Sequence, residues 1–501
     1  MRGMAKAFIF LLLFLAVCAM GVVPAQGAKR PNILFAMADD WGWPHAGAYG
    51  DPVVKTPTFD RLAGEGILFR QTYVSAPSCT PSRGAILTGQ WHWRLEAGAN
   101  LWSIFPDKFT TYPEILQKTG YVVGFSGKGW GPGRTETAGR ELCGKRYQNF
   151  RAFLKARPLD KPFCYWLGSL DPHRPYKKGS GKASGMDLSK IKLFGCFPDA
   201  PEVRGDVADY YFEVQRFDRL VGDALAALTE SDELDHTIVF MTGDHGMPFP
   251  RCKSNLYDSG TRVPLAVRWP ERIRAGRTVD DFVSFTDLAP TFLDIAGVAI
   301  PRDMSGRTLY DILTSSRSGR IDRTRDFVLM GKERHVPAQE AADMGGYPCR
   351  AIRTHSLLYI RNFRPDRWPN GTPNYQKAAI PGNWYADTDN GPTKTYMIEN
   401  RDKDALHRRL YELAFGKRPA EELYDLKKDP EQLHNVAADA EYRQLKRQLS
   451  ERLMTMLRET GDPRATGHGD VFDSYRYLGG GPKYPGWKPR EKSDGVRRQN
   501  Q

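Results

Sequence analysis

The chain predicts an α/β fold, in which a large domain with a mostly parallel central sheet between helices precedes a smaller C-terminal α+β domain with an antiparallel sheet. Three observations carry this. Short apolar runs ending in polar or acidic residues recur at Asn32–Asp39, Val122–Lys128, Phe163–Asp171 and Thr237–Asp244. Helical patterns alternate with them at Phe59–Gly66, Tyr112–Thr119 and Tyr210–Thr229, as βαβ units require. After about Thr324 that alternation stops.

The first segment, "MRGMAKAFIFLLLFLAVCAMGVVPAQG", joins a basic start to an apolar run over Ala7–Val23 and small residues at Ala25–Gly27. It reads as a secretory signal peptide over residues 1–27. A retained anchor is the alternative, but the run is short and small residues follow at once. Cys18 faintly suggests a lipoprotein site, yet the apolar run continues past it. No other stretch is apolar enough to span a bilayer, so the mature chain is expected in the periplasm or secreted, without a membrane span.

Residues 28–325 form the expected catalytic domain. Residues 326–465 read as the smaller domain, pairing a strand-like "RAIRTHSLLYIRNF" with "EELYDLKKDPEQLHNVA" and a last helix near Tyr442–Thr460. A polar, Pro- and Gly-rich insertion over Asn362–Asn400 lies between them. Residues 466–501 are rich in glycine, proline and charge and read as an extended or disordered basic tail.

The 501 residues are 41% hydrophobic, enough for a sizeable core, and carry a net charge of +13. That charge suits a polyanionic substrate or is an ordinary basic surface. No block of lysine and arginine is dense enough to suggest a nucleic-acid partner. Without Cys18, six cysteines remain (79, 143, 164, 196, 252 and 349), of which at most two pairs form disulfides if Cys79 is modified.

In parallel sheets, sites form beyond the carboxyl ends of the strands. Here "MADD", "FSGK", "LDPH" and "TGDH" occupy those ends. Asp39 and Asp40 sit side by side, which a hard cation makes tolerable; a helix N-cap pair is the plainer reading. Asp244 and His245 add a second cluster, and together the two suggest a divalent metal bound mainly by oxygen. Cys79 follows a strand-like "GILFRQTYVS" and precedes a helix expected to start near Ser82, with Arg83 one turn in. It is either an activated thiolate or a buried structural cysteine, and neither reading accounts for Pro81 together with Arg83.

Cys79-Thr-Pro-Ser-Arg83 followed by "GAILTG" resembles the signature of type I, formylglycine-dependent sulfatases of the alkaline-phosphatase-like superfamily. The likeness continues through "PNILFAMADDWG", "GK" at Gly127-Lys128, "DPHRPY", "TGDHG", "KSNLYDSGTRVPLAVRWP" and "ELYDLKKDPEQLHNVA". Single motifs are weak; their order along nearly the whole mature chain is specific. The layout is similar to glycan exo-sulfatases such as iduronate or heparan sulfatases, which implies a sulfated oligosaccharide or polysaccharide as substrate.

The resemblance implies that a formylglycine-generating enzyme oxidises Cys79 to 3-oxoalanine during maturation. It further implies one calcium ion held by Asp39, Asp40, Asp244 and His245 with an oxygen on residue 79. The aldehyde would rest as a hydrate, one hydroxyl attacking sulfur and the other later expelling sulfate. Arg83 and Lys128 would hold that hydrate, and Lys253 and His173 the sulfate, with His173 also a proton donor.

One departure stands out. The family places a histidine two or three residues after the lysine, where this chain has Trp130 and Gly131. His45 is a tentative substitute, and a substrate contact or a surface histidine are equal alternatives. "QWHWR" (90–94) lines a sugar subsite or packs in the core. The long insertion is expected to cap the catalytic edge and stack sugar rings, with Arg364 and Arg367 available for a uronate or a neighbouring sulfate, or else only packs the domains together. A phosphonate or phosphodiester hydrolase shares the superfamily's fold and formylglycine. A non-catalytic glycan-binding relative is disfavoured by the intact Asp39, Asp40, Cys79, Arg83, Lys128 and Asp244.

Overall fold

The computed structural model describes residues 30–488. The signal-peptide reading, with Cys18, and the last part of the tail lie outside the described residues.

The central sheet has eight strands: β1 (Asn32–Ala38), β2 (Ile67–Phe69), β3 (Val122–Ser126), β4 (Lys145–Arg146), β5 (Phe163–Gly168), β6 (Thr237–Gly243), β7 (Leu265–Arg268) and β8 (Arg277–Val279). Their order is β8-β2-β7-β6-β1-β5-β3-β4. Only β7 runs against its neighbours β2 and β6; every other pair is parallel. β1 is central and fully buried. Because successive side chains point to opposite faces, Leu34, Ala36 and Ala38 enter one core while Ile33, Phe35 and Met37 enter the other. A strand covered on both sides needs the unbroken apolar run the sequence has.

Two helices follow from the same patterning. The helix α1 (Cys79–Thr88) is buried along its whole length. The helix α2 (Pro201–Glu230) buries Val203, Val207, Tyr210, Val214, Phe217, Val221, Leu225 and Leu228. That spacing of three or four lays one apolar stripe over the first core.

The smaller sheet is antiparallel, in the order β9 (Phe327–Lys332), β10 (Cys349–Thr354), β11 (Leu357–Asn362) and β12 (Glu421–Asp425). The strand-like "RAIRTHSLLYIRNF" is therefore a hairpin, broken at His355-Ser356. Leu329, Ile352, Tyr359 and Leu423 meet Leu449, Leu453 and Leu457 of helix α3 (Arg443–Glu459). The opposite face, with Met330, Leu358 and Ile360, packs on Tyr73, Leu256 and Phe282 of the catalytic part. All six described cysteines are buried and free, so no disulfide forms among the described residues.

The described part of the tail, to residue 488, is ordered. It makes a short helix at Val471–Ser474 and then runs as a strap, with Tyr484 stacked on Tyr375 at 4.2 Å and Lys483 bridging to Asn383.

Candidate active site

β1 ends at Ala38, and Asp40 takes a φ of 75°. This left-handed turn carries the chain out of the sheet, and the Asp40 amide donates to Asp244 Oδ1 at 2.8 Å. Asp244 follows the neighbouring parallel strand β6, so the two acidic motifs meet at one sheet edge. Gly127, at φ 66°, lets β3 and β5 approach; a Cβ there would lie 2.0 Å from the Gly168 carbonyl. The chain then turns and Lys128 Nζ reaches both oxygens of Asp39 at 2.7 Å.

Cys79 is the first residue of α1, three positions earlier than the expected start near Ser82. Ser78 sits in extended geometry as its cap, and the Ser82 amide donates to the Ser78 carbonyl at 3.0 Å. Pro81 falls in the first turn, where no intrahelical donor is needed, and Arg83 lies one turn after Cys79. The Arg83 guanidinium donates to Asp244 Oδ2 at 2.8 Å and to the carbonyls of Lys128 and Gly129 at 2.9 and 2.8 Å. Burial pushes the Cys79 thiol up, well above the ordinary range. Lys128 and Lys253 pull the thiol down again, while Asp39 and Asp244 add to the rise.

His245 Nδ1 lies 3.1 Å from the Gly246 carbonyl. A carbonyl only accepts, so Nδ1 carries a proton and Nε2 faces the acidic cluster. That Nε2 is 3.2 Å from Cys79 Sγ, 3.2 Å from Asp40 Oδ1 and 3.7 Å from Asp244 Oδ1. Asp40 Oδ1 is buried and makes no hydrogen bond. Two sets of candidate ligands that share residue 79 (Asp40 and His245; Asp39 and Asp244), the first with the unpartnered Asp40 Oδ1, fit a cation among them.

Lys253 Nζ bridges Asp40 Oδ2 and Asp389 Oδ2, each at 2.9 Å. Burial disfavours its charge, but Asp389 and Asp40 outweigh this and hold the ammonium well above its usual range. His173 Nδ1 donates to the Arg174 carbonyl at 2.6 Å, and its Nε2 lies 3.9 Å from Asp40 Oδ2. Asp39, Cys79, Lys128, His173 and Lys253 line one cavity of about 680 Å³.

The structure therefore brings nine of the ten expected residues together. His45 is the exception. It is buried against Phe194, Tyr210 and Tyr211, bonds the Tyr211 hydroxyl at 3.0 Å, and borders a different cavity with Trp43 and Arg262. It cannot serve as the missing base. Trp91 and Trp93 stack at 5.0 Å, and Trp93 belongs to the core beneath the small sheet. Arg367 is buried between Asp343 and Asp473, and Arg364 pairs with Asp366. Neither is free for a substrate acid. The insertion reaches the cavity through Ala386 and Asp389 instead.

Sequence reasoning missed Asp389, Trp102, His335 and the Gly480–Pro482 wall, all lining the cavity. His335 Nδ1 and Ser78 Oγ are 2.8 Å apart. Its one signal was its place just beyond an apolar strand.

A family model described as Sulfatase matches residues 31–142 and 139–298. The chain belongs to the sulfatase family. Human N-sulphoglucosamine sulphohydrolase is 30% identical over 507 residues, covering 89% of this sulfatase and 94% of that protein. An ulvan-active sulfatase of Formosa agariphila is 27% identical over 460 residues, covering 87% and 81%. A solved structure in complex with its substrate D-glucosamine-2-N,6-O-disulfate has a TM-score of 0.60 at 21% identity, covering 87% of this chain and 99% of that one. This sulfatase is a sulfuric ester hydrolase of the α/β class, with a separate antiparallel sheet. No helix among its described residues is long and apolar enough to cross a membrane.

Proposed function

We propose that the protein is an exported exo-sulfatase that removes sulfate from a sulfated carbohydrate, after oxidation of Cys79 to formylglycine by a formylglycine-generating enzyme and with one calcium ion. The observation that carries this reading is the convergence of Cys79, at the start of α1, with the acceptor cluster Asp39, Asp40, Asp244 and His245. The names of the relatives, an ulvan-active sulfatase and an N-sulphoglucosamine sulphohydrolase, support the carbohydrate.

The four cluster residues, with an oxygen on residue 79, would hold the calcium. When present, the ion polarises the sulfate oxygens and the hydrated aldehyde supplies the attacking hydroxyl. Asp39, Asp40 and Asp244 are already matched by Lys128, Lys253 and Arg83. The charge of a divalent ion is thus left to offset the incoming sulfate ester. Arg83 and Lys128 hold the nucleophile's charge. Lys253 and His173 grip the sulfate from the cavity side, and His173 Nε2, its Nδ1 tied to a carbonyl, delivers a proton to the departing sugar oxygen. Asp389 orients Lys253.

The insertion and the tail wall the cavity opposite the sheet edge, which favours a terminal sugar over a mid-chain unit.

The test is the mass of the tryptic peptide Gln71–Arg83 from active enzyme, together with sulfate release from lyase-cut oligosaccharides and intact polymer. An aldehyde at residue 79 and faster release from the oligosaccharides are expected. An active preparation holding only the thiol would overturn the nucleophile, and equal rates per sulfate would overturn the exo reading.

A further inference from the structure

The catalytic cavity does not end at the sulfate site. It shares Gly129, Trp130 and Arg146 with a second cavity of about 490 Å³, walled by Arg134, Thr135, Arg140 and Glu141. The two adjoin at these three residues, and Cys79 lines only the first.

The three arginines of this extension differ in their partners. Arg140 is consumed by Glu114 and Asp107. Arg146 lies with its guanidinium 4.4 Å from the Phe125 ring centre and donates to the Gly127 carbonyl at 2.9 Å. It forms no ion pair among the described residues, so its fork is held in place while its charge is uncompensated. Arg134 is exposed on the short Gly133–Thr135 strand, and its side chain has no hydrogen bond or ion pair among the described residues. Glu141 is the single carboxylate lining the extension, so the groove keeps an excess of positive charge. An arginine stacked on an aromatic ring loses little freedom when it binds an anion, and its planar fork suits a carboxylate or a sulfate.

We propose that Arg146 and Arg134 form a subsite for an acidic group, a uronate carboxylate or a second sulfate ester, on the saccharide unit next to the one being desulfated. This rests on the carbohydrate reading above. It gives the acid-reading role to residues beside β3 and β4, in place of the insertion's Arg364 and Arg367.

The probes are a sulfated trisaccharide carrying a uronate beside its terminal sulfated sugar, the same trisaccharide with that carboxyl reduced to the alcohol, and the sulfated monosaccharide alone. In wild type the uronate form has a KM about tenfold below that of the reduced form. Arg146→Ala and Arg134→Ala raise the KM of the uronate form toward that of the reduced form, with kcat kept, and change the other two probes less than twofold. Arg146→Lys, which keeps charge but not the fork, gives an intermediate loss. Arg134→Gln, at an exposed position, serves if the Arg146 variants melt early. Equal losses on uronate and reduced forms, or no loss on either, overturn the subsite while leaving the sulfatase reading intact. Failure of the wild type to desulfate any of the three probes overturns the carbohydrate reading and the subsite with it.

Discussion

Asp389 Oδ2 lies 2.9 Å from Lys253 Nζ, joining the long insertion between β11 and β12 to the central sheet's edge across 136 residues of chain. The same ammonium is 2.9 Å from Asp40, so two carboxylates fix its position from opposite sides. Asp389→Asn keeps the shape and removes one charge, leaving Lys253 drawn toward Asp40 and away from the sulfate. The expected outcome is a KM raised about tenfold with a smaller change in kcat. A variant indistinguishable from wild type would show that Asp389 only packs there.

Asp244→Asn removes the charge that pairs with Arg83 and one of the acceptors around His245 Nε2. Metal content of the purified protein, read by elemental analysis, should fall below one ion per chain, and turnover should drop by about three orders of magnitude. Full activity with chelated, metal-free enzyme would refute the cation site.

His173→Ala tests the proton donor. A sugar alcohol is a poor leaving group and needs the proton, whereas 4-nitrophenolate does not. The variant should lose about a hundredfold in kcat on a sugar sulfate and far less on 4-nitrophenyl sulfate. Equal losses on both would mean that His173 binds sulfate without donating.

Away from the site, Asp51 has its pKa lowered to about 2. Burial works against ionisation there, but hydrogen bonding and charge from His45, with donors from the Tyr211 hydroxyl and the Val53 amide, outweigh it. The folded value is below the unfolded one near 3.9, so the stabilisation is complete above about pH 4 and is lost as pH falls toward 2. Thermal melts of wild type should therefore drop over that interval. Asp51→Asn should melt lower at pH 6 and show a shallower fall on acidification. Parallel curves for the two proteins would count against this account.

The sheet edge was legible because β1, β3, β5 and β6 are apolar runs that stop at charged residues, a pattern local to each strand. The helix start was misplaced because Pro81 reads as a residue ahead of a helix, whereas in the first turn its missing amide harms nothing. The insertion misled for a different reason. A loop arginine looks free in a sequence, and the carboxylates that take Arg367, Asp343 and Asp473, lie on separate segments. Asp389 gave no local signal and His335 only its place beyond an apolar strand, since each matters through a neighbour brought close by packing. His45 looked close to the metal aspartates in sequence, but the turn after Asp40 sends it behind α2 to Tyr210 and Tyr211.

The wall at Gly480–Pro482 also sets an order in time. A ribosome delivers Cys79 and its arginine long before the segment that roofs their cavity, and in the finished fold Cys79 is only 2% exposed. While the chain is still growing, the cysteine has neither the small sheet nor the strap over it. Any enzyme that must reach its sulfur works against a clock that stops when the strap docks. Slower synthesis or slower folding of the last hundred or so residues would lengthen that interval. If Cys79 is oxidised as proposed, the fraction of active molecules would be set by kinetics during production, and the stability of the completed fold would do nothing to rescue a chain that closed too soon.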